Sequence, residues 1–247
     1  MTDIRLPAIN AKKKISILGD SISTLEGYSA PEDAVFYQGL RKLESDIFFP
    51  EDTWWGQVSE ALGGEVLVNN SFSGSLVCKH PRFDYPSYGC SDERTSALGR
   101  EGEAPDVILV FMGTNDWGAG MKTTPVIPAH RGDLAVFSVA YDAMLKKLRR
   151  NYPAAEIICF TPSVSRCSRM EDFSFPYRIC GRHLEDYCAV IRDVAAENGC
   201  LLVDLYDPAE PYDTIDGFHP SAEGMKTLST RAIRQLSAVE GGIFRDH

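Results

Sequence analysis

No apolar run in this chain approaches the roughly 18–20 residues that a membrane span requires. The first apolar stretch, Ile15 to Leu18, follows Lys12, Lys13 and Lys14 and is cut by Gly19 and Asp20. It is too short for the apolar core of a secretory leader. For a numbering that starts at the natural terminus, a cytoplasmic protein with no stable membrane association is expected. Cysteine occurs seven times but never as C-x-x-C, so neither a paired-thiol zinc site nor a dithiol redox motif is written here. An odd count in a cytoplasmic setting implies reduced thiols, mostly buried. Positive charge is in short supply: Lys and Arg number 25 against 35 Asp and Glu, a net −10. That balance excludes a whole-protein binder of nucleic acid or anionic membrane. No G-x-G-x-x-G or Walker pattern and no His/Cys/carboxylate cluster of zinc spacing is present, so no cofactor and no metal are implied. A Pro/Ser-rich linker and a repeat period are missing as well, which favours one domain over residues 1–247.

What the chain does contain is alternation. Short apolar runs at Lys14–Leu18, Glu65–Asn69, Asp106–Met112, Glu156–Thr161 and Cys200–Leu205 read as strands. Several are almost continuously apolar, the pattern of a parallel strand covered on both faces. Between them lie helical patterns at Thr53–Leu62, Val136–Arg150, Ile179–Asn198 and Ser221–Leu236, with Ser221 as an expected N-cap. Strand and helix alternating in this way predict an α/β sandwich with a mostly parallel sheet. Three segments, 23–52, 75–104 and 162–178, are too long for ordinary connections and rich in aromatics. Such excursions serve as lids or binding loops, or else pack locally.

Ligands of open α/β sheets sit beyond the carboxyl ends of the strands, so the residues after each strand are the ones to read. Gly19-Asp20-Ser21 follows the first strand, without the G-x-S-x-G flanks of a nucleophile elbow. Asn69-Asn70-Ser71-Phe72-Ser73-Gly74 follows the second, and Gly74 would let a backbone N–H approach a ligand. Gly113-Thr114-Asn115-Asp116 follows the third. Asn115 there either caps the next segment or donates its amide to a developing oxyanion. Asp216 stands three residues before His219, just ahead of the last helix. An acid so placed can receive the imidazole Nδ1–H and leave Nε2 for a nucleophile. Of five histidines, His80 and His130 sit in loops without such an acid, His183 faces Asp186 as a surface pair, and His247 is terminal.

Gly-Asp-Ser, the later Gly, Gly-x-Asn-Asp and Asp-x-x-His-Pro, in this order from Gly19 to Ser221, resemble the SGNH hydrolase superfamily, the GDSL esterases and lipases. The resemblance implies a flavodoxin-like three-layer α/β/α sandwich with about five parallel strands. It implies that Ser21 is the nucleophile, His219 the base and Asp216 its orienter. The oxyanion donors would be the N–H groups of Ser21 and Gly74 and the Asn115 side chain. Ile22 replaces the name-giving Leu, an apolar-for-apolar change. A serine hydroxyl needs an adjacent base at neutral pH, and an imidazole supplies one.

The expected activity is hydrolysis of a carboxylic ester, with a small-molecule or carbohydrate-borne acyl substrate. The alternatives are an acyltransferase using the same acyl-enzyme and a non-catalytic carbohydrate-binding module. A metal phosphoesterase built on Asp20, Asp116 and Asp216 is a further one, against which the lack of a His-rich ligand set counts. Segments 23–52 and 75–104 are expected to wall the cleft, with Trp117 nearby and Asp20 beside the nucleophile. Arg94, in the polar run Ser91-Asp92-Glu93-Arg94, either belongs to a solvated helix start or reaches the cleft to meet a polar substrate group.

Overall fold

The computed structural model describes residues 12–29, 34–83, 87–123 and 132–239. In chain order the elements are β1 (Lys13–Gly19), α1 (Leu40–Ser45), α2 (Trp54–Ala61), β2 (Gly64–Ser71), α3 (Asp92–Ser96), β3 (Val107–Phe111), α4 (Thr114–Gly118) and α5 (Phe137–Asn151). They continue with β4 (Glu156–Phe160), β5 (Ser165–Arg166), β6 (Arg178–Ile179), β7 (Arg182–His183), α6 (Leu184–Glu197), β8 (Leu201–Val203), β9 (Tyr212–Asp213) and α7 (Ala222–Ser237). His130, His247 and Tyr85 lie outside the described residues.

Five strands pair in the order β2-β1-β3-β4-β8, every pair parallel. This is the flavodoxin-like doubly wound order, and its direction reverses between β1 and β3. The sheet is covered on both faces, which is why β3 is buried at all five positions. Alternate residues feed two separate cores. Ile15 and Ile17 of β1 and Val107, Leu109 and Phe111 of β3 pack with Trp54, Val58, Leu228 and Ala232 of α2 and α7. Leu18, Ile108 and Val110 pack instead with Tyr141, Met144, Leu148, Tyr187 and Ile191 of α5 and α6.

Most boundaries follow from local chemistry. Thr53 caps α2 by accepting the Gly56 N–H at 3.0 Å, and Ser221 caps α7 by accepting the Gly224 N–H at 3.2 Å. The helix expected from Ile179 begins only at Leu184. Before it, Arg178–Ile179 and Arg182–His183 form an antiparallel hairpin. Its turn residues Cys180 and Gly181 both have positive φ, 50° and 76°, the geometry that two-residue hairpin turns favour. His183 is then not half of a surface ion pair. It caps α6: its Nδ1 accepts the Glu185 N–H while Asp186 accepts the His183 N–H, a reciprocal capping arrangement.

The last strand leaves the sheet at Asp204, whose N–H is taken by the Gln235 side chain at 2.9 Å. All seven cysteines are free thiols; five are buried, Cys200 is partly buried and Cys180 is exposed. Among the described residues no helix is long and apolar enough to cross a membrane.

Candidate active site

β1 ends at Gly19, and the chain turns at once into a short 3-10 segment, Ser21–Ser23. The Asp20 side chain caps that turn, accepting the Ile22 N–H at 3.0 Å. Ser23 is bolted down in turn: Trp54 Nε1–H donates to its Oγ and the Asn69 amide donates to its carbonyl. Ser21 is therefore set on a rigid turn at the point where the strand order reverses, with β3 delivering Asn115 from the neighbouring strand.

His219 arrives from the loop between β9 and α7. The two oxygens of Asp216 divide the work. Oδ1 accepts the backbone N–H groups of Phe218 and His219 at 3.0 and 2.8 Å, which closes the turn. Oδ2 accepts the His219 Nδ1–H at 2.8 Å. That bond fixes the tautomer, so Nε2 presents a lone pair and accepts the Ser21 O–H at 2.9 Å. Burial pushes the Asp216 pKa up, but the imidazole bond and the two backbone N–H groups outweigh it and hold the carboxyl down at about 2. Gly217 within this turn has φ 94°. It lies so close to the Phe173 ring that a Cβ would sit 2.5 Å from it. The turn is fastened by Ser165 Oγ to the Gly217 carbonyl, by Tyr212 to the Phe218 carbonyl, and by Tyr37 to the Pro220 carbonyl.

The third component is a set of donors. Asn115 lies in the first turn of α4, and its amide donates one N–H to the Ser75 carbonyl at 3.1 Å. Among the described residues its second N–H has no partner. Gly74, next to Ser75, has φ 78° and open space where a Cβ would be, so a ligand can approach its backbone closely. Asp116, by contrast, points inward. Its two oxygens accept the Val77 and Cys78 N–H groups at 2.8 and 3.0 Å, and burial pushes its carboxyl up to about 6.

Arg94 is neither solvated nor turned to the cleft. It is 6% exposed, and all five of its N–H groups are engaged. Nε donates to Asn70 Oδ1, one terminal nitrogen to Ser75 Oγ and Ser87 Oγ, and the other to the carbonyls of Gly19 and Asn70. One guanidinium thus ties the end of β1, the end of β2 and the Gly74–Ser75 loop together.

Ser21, Asn115 and His219 border a cavity of about 230 Å³ whose lining also includes Asp20, Ile22, Thr114, Trp117, Gly118, Ile179 and Phe218. Its walls are mostly apolar. Trp117 lies deep in it, 1% exposed, with its Nε1–H on the Arg182 carbonyl and its ring stacked on Phe175.

The excursions divide differently from expectation. Segment 23–52 brings Phe36 onto His219. Segment 75–104 supports the donors from behind through Ser75 and Arg94 and then runs down beside α5. The hairpin after segment 162–178 supplies Ile179. Tyr28, Phe49 and Phe83 are exposed at 49%, 59% and 65% and line no part of this cavity. Nothing in the spacing of the sequence marks Ile179, Ser75 or Phe36.

Two larger hollows, about 780 and 540 Å³, lie along the outer edge of β2, and neither is lined by a serine–histidine pair. Among the described residues no group of three or more His, Cys, Asp or Glu side chains is placed to hold a metal ion. Of the three carboxylates named for a phosphoesterase, Asp116 and Asp216 already have both oxygens engaged by donors of the protein.

A family model of the GDSL-like lipases and acylhydrolases matches residues 13–236. A solved structure described as a GDSL-like lipase from Bacteroides uniformis ATCC 8492 is 30% identical, with TM-score 0.68 over 93% of this chain and 98% of that one. Another, from Bacteroides ovatus ATCC 8483, is 27% identical with TM-score 0.71 over 93% and 100%. Est24, a carbohydrate acetylesterase from Sinorhizobium meliloti, shares the fold at 16% identity, with TM-score 0.61 over 92% and 99%. No curated protein matches the sequence significantly. With the match running from the first residue of β1 to the end of α7, the chain belongs to the GDSL-like lipase/acylhydrolase family of the SGNH hydrolase superfamily and is a hydrolase of ester bonds.

Proposed function

We propose that the protein is a serine esterase of small acyl esters, free or carried on a carbohydrate, working through Ser21, His219 and Asp216. The observation that carries this reading is the unbroken hydrogen-bond chain from Asp216 Oδ2 through both imidazole nitrogens to Ser21 Oγ. In it, Ser21 Oγ attacks the ester carbonyl carbon while its proton passes to His219 Nε2. Asp216 stabilises the imidazolium so formed. The N–H groups of Ser21 and Gly74 and the free N–H of Asn115 receive the negative charge on the former carbonyl oxygen. Collapse breaks the bond to the alcohol, which leaves with the proton from His219. Water then repeats the sequence on the acyl-enzyme and releases the acid.

The small volume and apolar lining of the cavity beside Ser21 support a short acyl group. The fold shared with a carbohydrate acetylesterase makes acetylated sugars a substrate class to include.

The test is covalent labelling. A fluorophosphonate should add once, at Ser21, by intact mass and peptide mapping, because only an activated serine attacks it. Ser21→Ala should lose both the label and the hydrolysis of p-nitrophenyl acetate and acetylated sugars, and EDTA should not alter the wild-type rate. A folded protein that hydrolyses these esters yet resists the probe, or a Ser21→Ala protein of full activity, contradicts the assignment.

A further inference from the structure

One contact on His219 has no part in the scheme above. The phenyl ring of Phe36 lies flat on the imidazole, with centroids 3.5 Å apart and planes 10° from parallel. Neutral aromatic rings favour offset or edge-to-face contacts over a face-on overlay. Tyr37 meets the same phenyl ring in that edge-on way, at 5.0 Å and 81°. A face-on overlay suits a cation, because the face of a phenyl ring is its negative pole. In the proposed reaction the imidazole becomes a cation when it takes the Ser21 proton.

Phe36 is held in place from both sides of the site. Its backbone N–H donates to Thr24 Oγ1 at 2.9 Å, and the Thr24 hydroxyl donates to the Ser21 carbonyl at 2.8 Å. The next residue, Tyr37, is fully buried and donates its hydroxyl to the carbonyl of Pro220, directly after the base, at 2.9 Å. The strap is thus tied to the nucleophile turn through Thr24 and to the base turn through Tyr37. In-plane hydrogen bonds at the two nitrogens resist sliding of the imidazole but little resist tilting about the line that joins them. A ring against its face resists the tilt.

The charged and titratable groups around the imidazole do not supply this function themselves. Asp216 lies in the ring plane at Nδ1. Asp20 is buried and caps the turn that carries Ser21 by accepting the Ile22 N–H. Tyr37 and Tyr212 are buried, and desolvation pushes both hydroxyls up, so they stay neutral. The Arg41 guanidinium is 5.3 Å from the Phe36 ring centroid, but it is half exposed and paired with Glu44 at 2.8 Å.

We infer that Phe36 is a positioning residue for the base: its ring fixes the tilt of the imidazole and stabilises the imidazolium formed as Ser21 attacks. This rests on the assignment of Ser21 and His219 as nucleophile and base. The experiment is the pH dependence of kcat and kcat/KM for p-nitrophenyl acetate, over about pH 5–9, in the wild type and in Phe36→Leu, Phe36→Met, Phe36→Tyr and Ser21→Ala.

The phenyl face favours the protonated imidazole, so its loss makes a weaker base. Phe36→Leu and Phe36→Met should therefore lower the plateau kcat roughly three- to thirty-fold. They should also move the midpoint of the pH profile down by about half a unit to one unit. Phe36→Tyr keeps the ring face and should keep both rate and midpoint. Leu and Met are two independent apolar replacements, so one that folds poorly leaves the other, with melting temperature as the check. Ser21→Ala inactive while the Leu and Met variants keep rate and midpoint overturns the role of Phe36 alone. So does a Tyr variant as impaired as Leu. Ser21→Ala fully active overturns the underlying assignment, and the role of Phe36 with it.

Discussion

In the proposed mechanism the amide of Asn115 has two jobs for its two N–H groups. One holds the Ser75 carbonyl at 3.1 Å; the other is free to meet an oxyanion. Asn115→Ala should therefore lower kcat by roughly 10²–10³, with a smaller change in KM, because the lost bond matters most in the transition state. Steady-state kinetics with p-nitrophenyl acetate decides it; an unchanged kcat would leave Asn115 only the tie to Ser75. The residues proposed for this chemistry stood out in the sequence because each one follows a strand or precedes a helix. Arg94 was legible only as a charge in a polar run. Its five acceptors come from positions 19, 70, 75 and 87, four of them backbone or serine oxygens that any sequence provides. Phe36 was one aromatic among many, and its exposed neighbours Phe48 and Phe49 carry the same sequence signal with none of its contacts.

Among the elements, the strands were the plainest because burial on both faces leaves no polar alternation to read. The hairpin Arg178–His183 was hidden. Its strands are two residues long, below the length at which periodicity means anything, and the helical pattern of α6 begins right after it. Yet this hairpin puts Ile179 into the cavity. The turn before α7 is the element on which the site depends most. Gly217 there combines φ 94° with a Cβ position 2.5 Å from the Phe173 ring. Gly217→Ala should cost at least about 1 kcal/mol of stability, lowering Tm by about 2–4 °C or more. It should reduce kcat more than stability alone explains, since Asp216 and His219 flank it. Thermal unfolding and kinetics on one preparation test this; a variant with wild-type Tm and kcat would show that the turn tolerates a side chain.

For the whole molecule, two buried carboxyls set a pH dependence. Desolvation, helped by the neighbouring Asp116, raises Asp20 to about 7, against the Ile22 N–H and Arg94, which lower it; Asp116 itself is raised to about 6. In the unfolded chain an aspartate releases its proton near 3.9. Between about pH 4 and pH 7 the folded state binds more protons, so stability falls as pH rises through that window. Asp20→Asn keeps an oxygen for the Ile22 N–H and has no proton to lose. Its Tm should exceed that of the wild type at about pH 8 and converge with it toward about pH 4. Equal Tm values across the range would mean that Asp20 is ionised in the folded protein at no cost.

The guanidinium of Arg94 has a consequence for how the enzyme comes into being. A growing chain forms its helices and turns from near neighbours first, but the acceptors of Arg94 are spread along residues 19 to 87. The five bonds can close only after both strand ends and the Gly74–Ser75 loop have arrived, and leaving any of the buried groups unmatched is costly. The loop that carries Gly74 and Ser75 is therefore coupled to α3 through one side chain, and a fluctuation that lifts α3 from its seat releases that loop and both strand ends together.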